Sequence, residues 1–330
     1  MTFTYNDVYV KDTATIAGPY EKKGPLKKYF DKTFDDLYYD EDSWEKAEIK
    51  SVKESLKLLH KKVGIKRKEV DVILGGDLLN QIAATTYGAY NFSKCFLGLY
   101  GACSTSVEAM ILGSVLIDAK RVKNAIVTVS SHNMAAEKQF RNPTEYGAPK
   151  PKSATFTATG SASMLLTKEK TDIKVESSTI GQIIDLNQND PNDMGKVMAP
   201  AAIDTIKRHL KDLNRKPDYY DLIVTGDLGL YGKEILKDYM LEEYDLDLKD
   251  NYNDCGVMLY DLKEQEECLA GGSGPVCSAL VSFGYIYHEM KKKNLKRVLI
   301  VATGALFSPA MVYQKENIYS IANAISLEVV

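Results

Sequence analysis

The residues with the clearest potential for chemistry lie in the run 101–106, where Cys103 is surrounded by small side chains. The apolar stretch 95–100 precedes this run and is typical of a buried strand, and apolar residues follow at helical spacing over 107–118. Cys103 is therefore expected at a helix N-terminus, where free N–H groups and the helix dipole favour negative charge. Such a site suits either a thiol of lowered pKa that serves as a nucleophile or a bound carboxylate. A small buried cysteine at a tight turn is the structural alternative.

A second group of polar residues follows the strand predicted over 125–130. His132 and Asn133 stand at the end of that strand, and Arg141 lies further along the same connection. Imidazole and guanidinium groups donate hydrogen bonds to carboxylates, and guanidinium does so bidentately. His132 is thus a candidate partner of Cys103 or of a ligand. A satisfied structural histidine and an exposed loop arginine are the alternatives.

The acidic residues and the remaining cysteines and histidines show no convincing metal-site spacing. Five cysteines occur without C-x-x-C pairing, and four histidines occur without ligand spacing, so we expect a reducing compartment and no metal site or cofactor. Three aspartates follow glycine or asparagine turns, where they either help to hold calcium or simply form the turn. These are Asp77, Asp227 and Asp254.

The elements that must position these residues repeat in two halves. The segment 70–78 matches 220–228 position by position, and 123–131 resembles 296–304. Both halves run in the order helix, strand, helix, strand, which indicates an internal duplication. Such alternation is typical of an α/β protein with largely parallel sheets covered by helices.

The duplication predicts a five-layer αβαβα architecture in which the two units share a buried helical layer. We predict an N-terminal half over 1–168 and a C-terminal half over 169–330. The first half includes a helix over 43–63 and a Gly/Pro/Lys/Tyr/Asp-rich arm over 17–40 that is predicted to be irregular.

Composition excludes several classes of function. The chain has 330 residues, of which 45% are hydrophobic and 26% charged, as in a soluble globular protein. Lys and Arg number 42 and Asp and Glu 45, so the net charge of −3 does not favour nucleic acid as a partner. No run approaches the roughly 18 apolar residues of a membrane span, and no signal-peptide pattern is present.

The duplicated α/β pattern with Cys103 at a strand–helix junction resembles the thiolase superfamily, whose ketosynthase III branch carries a comparable Ala-Cys-Ser motif. The resemblance implies two mixed sheets around a buried helical layer. It also implies a homodimer paired along the strand before the cysteine, here 95–100.

Motifs along nearly the whole chain resemble, more narrowly, the stage V sporulation protein AD family of endospore-forming bacteria. That family is implied to bind dipicolinic acid (pyridine-2,6-dicarboxylate). It is implied to act with other stage V A sporulation proteins in moving calcium dipicolinate into the spore, as a peripheral protein on the cytoplasmic face of the spore inner membrane. The motifs include Gly24-Pro25-Leu26, Gly76-Asp77-Leu78-Leu79-Asn80-Gln81, Asn142-Pro143-Thr144-Glu145-Tyr146-Gly147, Met198-Ala199-Pro200, Asn253-Asp254-Cys255-Gly256 and Ala302-Thr303-Gly304.

The catalytic partners of a condensing enzyme are missing from the sequence. The ketosynthase III pattern has a histidine just after the first strand of the second half, where this chain has Gly226 and Asp227. A thiolase has a Gly-His-Pro motif near the position where this chain has a glycine-rich turn over 271–274. We therefore expect no enzyme activity and a vestigial nucleophile position at Cys103. A thiolase- or ketosynthase-like acyltransferase that uses Cys103 is the alternative.

The predicted site combines these residues around a flat aromatic dianion. Such a ligand needs N–H donors, small residues that allow the ring to approach, and an apolar wall. The predicted ligand-binding residues are Cys103, His132, Asn133, Arg141, Met198, Gly272 and Ser273.

Overall fold

The computed structural model describes residues 1–92, 95–140 and 150–330. Its strands are β1 (Thr2–Thr4), β2 (Tyr9–Ala17), β3 (Lys32–Thr33), β4 (Val72–Gly76), β5 (Phe96–Gly98), β6 (Asn124–Ser131), β7 (Phe156–Thr157), β8 (Gly160–Thr167), β9 (Ile173–Thr179), β10 (Leu222–Thr225), β11 (Tyr252–Asp254), β12 (Gly272–Ser273), β13 (Arg297–Ala305) and β14 (Ser320–Val329). Its helices are α1 (Trp44–Val63), α2 (Ala83–Ala89), α3 (Thr105–Asp118), α4 (Asn133–Phe140), α5 (Met194–Asp212), α6 (Gly229–Tyr244), α7 (Cys255–Leu259), α8 (Pro275–Ala279), α9 (Tyr287–Lys291) and α10 (Pro309–Tyr313). A π-helical segment, Leu280–Ile286, connects α8 to α9, so that 275–291 form one continuous helix.

The two halves have the same strand order. The first is β5-β4-β6-β8-β2 and the second is β11-β10-β13-β14-β9. In each half the first three strands of this order are parallel and the remaining pairings are antiparallel. The sheets are therefore mixed, as the family resemblance implied, and not largely parallel. The exact division at residue 168 stays a prediction.

The sheets enclose a buried helical layer, as predicted. They are joined by one antiparallel pairing, Tyr9 of β2 opposite Lys174 of β9. Between them lie α3 and the helix over 275–291, whose apolar side chains belong to one core with residues from both sheets. Separate cores lie under α1 on the outer face of the first sheet and under α5 and α6 on the outer face of the second. Three apolar layers thus separate five layers of secondary structure.

The first long helix confirms the sequence prediction over 43–63. Ser43 caps the N-terminus of α1 by accepting a hydrogen bond from the Lys46 N–H at 3.3 Å. Gly64 ends it in the left-handed conformation, with φ +64°. The predicted stripe, which includes Val52 and Leu56, is buried against the sheet.

The strand that precedes Cys103 is not buried, which corrects the prediction for 95–100. Leu97 and Tyr100 are 44% and 46% exposed. The reason is position, because β5 is the edge strand of its half and pairs only with β4 within the described residues. An apolar run does not by itself distinguish an edge strand from a central one.

The arm over 17–40 folds back against both halves. The buried carboxyl group of Glu21 accepts hydrogen bonds from the Thr159 N–H at 3.0 Å and from the Tyr260 hydroxyl. The Tyr29 hydroxyl donates to Glu289 at 3.0 Å. Because Thr159 lies in the first half and Tyr260 and Glu289 in the second, the arm connects the two.

No helix in the part of the chain that the structure describes is both long and apolar enough to cross a membrane.

Candidate functional site

Cys103 lies in a tight turn that links β5 to α3, as the small residues predicted. The Ser104 hydroxyl donates to the Gly101 carbonyl oxygen at 2.7 Å. The Thr105 hydroxyl donates to the Ala102 carbonyl oxygen at 2.7 Å. Ala102 has φ +50°, a conformation that residues with a Cβ rarely adopt. These bonds hold the backbone in that conformation, and Cys103 follows at the start of the helical turn.

Asp227 approaches the same place from the second half. It follows β10 after Gly226, and its side chain is buried. The Thr303 hydroxyl donates to Asp227 Oδ1 at 2.6 Å, and the Gly274 N–H donates to Oδ2 at 3.2 Å. Burial raises the pKa of Asp227 to about 7, although the interaction with Cys103 and the hydrogen bond from Thr303 act in the opposite direction. This carboxyl group therefore takes up a proton more readily than an ordinary aspartate.

The Cys103 thiol and the Asp227 carboxyl group line the same cavity and interact electrostatically. Burial and the adjacent negative charge raise the pKa of the Cys103 thiol well above its usual range, and the Gly274 N–H only partly offsets them. The expectation of a lowered thiol pKa is therefore wrong. The helix N-terminus is present, but desolvation and the neighbouring carboxylate raise the thiol pKa by more than the helix N-terminus lowers it.

A cavity of about 70 Å³ lies beside Cys103. The polar residues of its lining include Thr155, Thr157, Ser273 and Asp227. The lining includes two carboxyl groups, of Asp227 and Glu137, and no lysine, arginine or histidine from the described residues. Glu137 is ion-paired with Lys150 at 2.7 Å. The apolar lining includes Leu78, Tyr100, Phe140, Met194, Met198 and Phe307.

A larger groove of about 680 Å³ adjoins the cavity. Tyr100, Phe140 and Phe307 line both spaces, and the rings of Phe140 and Phe307 lie 5.4 Å apart. Gln81 and Ile82, two consecutive residues with positive φ, line the groove. Three aromatic side chains therefore separate a small inner cavity from a wide outer groove.

The structure brings together only part of the predicted site. Cys103, Met198 and Ser273 line the cavity. Asn133 does not line it, because its side chain donates to the Thr157 carbonyl oxygen at 3.3 Å. Gly272 is also absent from the lining and is buried in the β7–β12 pairing. Arg141 lies outside the described residues.

The structure does not place His132 on the cavity lining, where it was predicted. Its Nε2–H donates to the Leu37 carbonyl oxygen at 2.7 Å, and Nδ1 accepts from the Ala135 N–H at 3.4 Å. Burial lowers the pKa of His132 to about 4, so the ring is neutral at pH 7. The arm supplies Leu37, and a contact with so distant a segment is not visible in the local sequence.

Sequence reasoning considered Asp227 only as a turn or calcium residue and missed its contact with Cys103. The available signal was its position, just after the second-half strand where a ketosynthase III has histidine. Asp77 and Asp254 do form turns: Asp77 accepts from the Leu79 and Thr85 N–H groups, and Asp254 accepts from four N–H groups. The described residues contain no cluster of three or more His, Cys, Asp or Glu side chains suited to a metal ion.

Five layers, a duplicated strand order and a cysteine at the first strand–helix junction define the thiolase-like class of fold. The chain resembles 3-oxoacyl-[acyl-carrier-protein] synthase III from Aquifex aeolicus VF5, at 12% identity over 97% of this chain and 99% of that chain, with a TM-score of 0.56. It also resembles OleA from Xanthomonas campestris, at 11% identity over 99% of both chains, with a TM-score of 0.61. At such low identity, these likenesses establish the fold alone.

Sequence comparison is more specific. The family model described as stage V sporulation protein AD (SpoVAD) matches residues 1–328. Stage V sporulation protein AD of Bacillus subtilis (strain 168) is 45% identical over 322 residues, which are 97% of this chain and 94% of that protein. The chain belongs to the stage V sporulation protein AD family, whose description names a role in sporulation and no reaction.

Proposed function

We propose that this protein is a non-catalytic binding protein for dipicolinate, carried with calcium, and that it serves the dipicolinate uptake machinery of the spore. Membership of a sporulation family supports the biological setting. The single observation that carries the proposal is the cavity beside Cys103, whose lining from the described residues has the Asp227 carboxyl group near the cysteine and no histidine.

The Cys103–Asp227 pair opposes acyl transfer. A thiol nucleophile must form a thiolate, which a neighbouring carboxylate disfavours. No histidine from the described residues lines the cavity. The thiolase-like fold and the cysteine at the strand–helix turn are the features that favour the alternative, an acyltransferase.

The cavity offers complementary groups for one end of dipicolinate. Ser273 and Thr157 on the lining carry hydroxyl groups of the kind that bond a carboxylate, and Met198 provides an apolar surface for the ring. The inner cavity is smaller than the ~150 Å³ of an engineered cavity that binds benzene. We therefore propose that Phe140 and Phe307 move on binding, and that the far end of the ligand enters the outer groove.

The charge of the ligand also needs compensation. Dipicolinate is a dianion, whereas the lining carries the carboxyl groups of Asp227 and Glu137. A proton on Asp227, or calcium arriving with the ligand as cargo, removes the repulsion. Both routes are consistent with a carboxyl group whose pKa is raised to about 7.

We further propose that two copies of the chain form a homodimer by pairing through β5. In the single chain, the side chains of Leu97 in β5 and of Tyr100 just after it are exposed, and this pairing would cover them. The proposed location is the cytoplasmic face of the spore inner membrane, where other stage V A sporulation proteins recruit the dimer as a peripheral component.

Calorimetry with dipicolinate, with and without calcium, tests the proposal. We expect saturable binding by the wild-type protein, a mild loss in Cys103→Ala and abolition in Cys103→Phe, because the larger side chain fills the cavity. Equal binding by Cys103→Phe would place the ligand elsewhere. Incubation with acyl-CoA tests the alternative, and acylation of Cys103 followed by turnover would establish an enzyme.

A further inference from the structure

We propose that the end of the molecule opposite the cavity binds anionic lipid headgroups directly, through a face of lysine side chains to which both halves contribute. The inference rests on the proposed function for the location at a membrane. It adds the surface that meets the lipid and the chemistry of that contact.

The basic residues of the chain are concentrated in five short segments. Four of these lead into the parallel strands β4, β6, β10 and β13, and the fifth connects β8 to β9. Together they contain 15 of the 42 Lys and Arg residues and only 6 of the 45 Asp and Glu residues. The segments therefore carry a net charge of +9, and the rest of the chain carries −12, since the whole chain carries −3. The segments are 64–71, 119–123, 213–221, 291–297 and 168–172.

Three of the segments meet at one edge of the first sheet. The Lys123 N–H donates to Asp71 Oδ2 at 2.7 Å, which joins the segments that precede β6 and β4. The Lys168 N–H donates to the Lys123 carbonyl oxygen at 3.1 Å, which adds the segment that follows β8. Their basic side chains therefore belong to the same end of the molecule.

The second half continues this surface. Lys291 is ion-paired with Asp172, which lies on the segment that connects the two sheets. The Lys296 N–H donates to Asp221 Oδ2 at 2.6 Å, which joins the segments that precede β13 and β10. The five segments are therefore in contact one after another, and we call the surface that they form the lysine face.

The lysine face lies far from the cavity. Strand β13 begins at Arg297, within the lysine face, and ends at Ala305, on the cavity lining. At about 3.3 Å per residue, the strand spans roughly 26 Å between these ends. No residue of the five segments lines the cavity, so a surface bound to the lysine face leaves the cavity open.

Most cations of the lysine face are available to a partner. Arg215 is held by Glu176, and Lys291 by Asp172. Ten others are exposed and have no ion pair among the described residues, namely Lys66, Lys68, Lys120, Arg121, Lys123, Lys168, Lys170, Lys216, Lys293 and Lys296. Because they are not neutralised within the chain, they present an excess of positive charge to solvent.

The predominance of lysine favours a lipid surface as the partner. Nine of the ten exposed cations are lysines, whose ammonium groups are hydrated point charges on flexible stems. Clusters of such groups are attracted to anionic leaflets, whereas rigid bidentate recognition of single phosphates or carboxylates favours arginine. A broad face of flexible ammonium groups therefore fits a layer of lipid phosphates better than an acidic protein of fixed shape.

Co-sedimentation with lipid vesicles tests the inference. We expect the wild-type protein to bind vesicles of phosphatidylglycerol and phosphatidylcholine at low salt. Binding should disappear on vesicles of phosphatidylcholine alone and in about 1 M salt, which screens charges beyond roughly 3 Å. In the triple variant Lys168→Gln, Lys170→Gln and Lys293→Gln, vesicle affinity should fall by about 100-fold, because each lysine near an anionic surface contributes about fivefold.

A second triple variant is the matched control. Lys57→Gln, Lys263→Gln and Lys315→Gln change the net charge equally through exposed lysines outside the lysine face, and vesicle affinity should stay close to wild type. Both triple variants should keep the wild-type thermal midpoint and dipicolinate affinity, since the substituted side chains are exposed and do not line the cavity.

The possible failures are distinguishable. A wild-type protein that ignores phosphatidylglycerol vesicles, or equal losses of affinity in the two triple variants, would overturn this inference and leave the dipicolinate site intact. Tighter binding to a DNA duplex than to these vesicles would assign the lysine face to nucleic acid and overturn the lipid contact. Vesicle binding by a protein that fails to bind dipicolinate would support the lysine face and refute the proposed ligand.

Discussion

The Cys103 thiol and the Asp227 carboxyl group line the same cavity and interact electrostatically, so the nucleophile position of the first half lies beside an acid of the second half. Thr303 and Gly274 hold that acid in place. The pairing stabilises the protonated thiol and keeps a titratable carboxyl group beside the cavity. In this respect the site differs from the active site of an enzyme whose cysteine must lose its proton to react.

Removal of the negative charge should make Cys103 more reactive. In Asp227→Asn, the pKa of the Cys103 thiol should fall from its raised value, since burial remains but the adjacent carboxylate is gone. The alkylation rate of Cys103 at pH 8 should rise on the order of 10-fold, which corresponds to about one pKa unit. Mass spectrometry of iodoacetamide-treated protein measures this, with exposed Cys95 as the internal reference. An unchanged rate would show that Asp227 does not control the thiol.

Glu21 should make the protein less stable as the pH rises. Its pKa is raised from 4.5 to about 7, mainly by burial, so the folded state holds this proton more tightly than the unfolded state. The associated stability is fully present below pH 4.5 and is lost as the pH rises through 7. The loss is roughly 3 kcal/mol at most.

Glu21→Gln should remove this pH dependence. Urea unfolding at pH 5 and pH 8 should show that the variant gains on the wild-type protein at the higher pH. The exposed Glu264→Gln is the control and should follow the wild type at both values. A constant difference between Glu21→Gln and wild type would contradict the prediction.

His132 should contribute to stability and not directly to ligand contact. His132→Ala removes the hydrogen bond to the Leu37 carbonyl oxygen and leaves a buried space, so the free energy of unfolding should fall by about 1–3 kcal/mol. The rise in thermal midpoint on addition of dipicolinate should persist. If the midpoint without ligand is unaltered and the ligand response disappears, His132 acts in binding after all.

A charge on the edge strand should disrupt the proposed dimer. Leu97→Lys places an ammonium group on β5, where pairing with a second chain would bury it. Light scattering should report a dimer for the wild type and a monomer for this variant. Leu230→Lys, which alters a similarly exposed side chain on α6, should remain dimeric. A wild-type monomer at micromolar concentration would refute the interface.

The amino-acid sequence determined the features that depend on neighbouring residues. Ser43 and Gly64 bound α1 because capping is local, and the small residues around Cys103 specify a tight strand–helix turn. The repeat between 70–78 and 220–228 predicted two similar units, and the two sheets do share one strand order.

Only the tertiary structure decided the features that depend on distant segments. Asp227 meets Cys103 because the two halves pack about one helical layer, and desolvation there reverses the thiol pKa expected from the helix N-terminus. His132 is held away from the cavity because the arm delivers the Leu37 carbonyl oxygen to its ring. The strand before Cys103 is exposed because the order of strand pairing places it at an edge of the sheet. An apolar run does not by itself specify how many strands will pair with it.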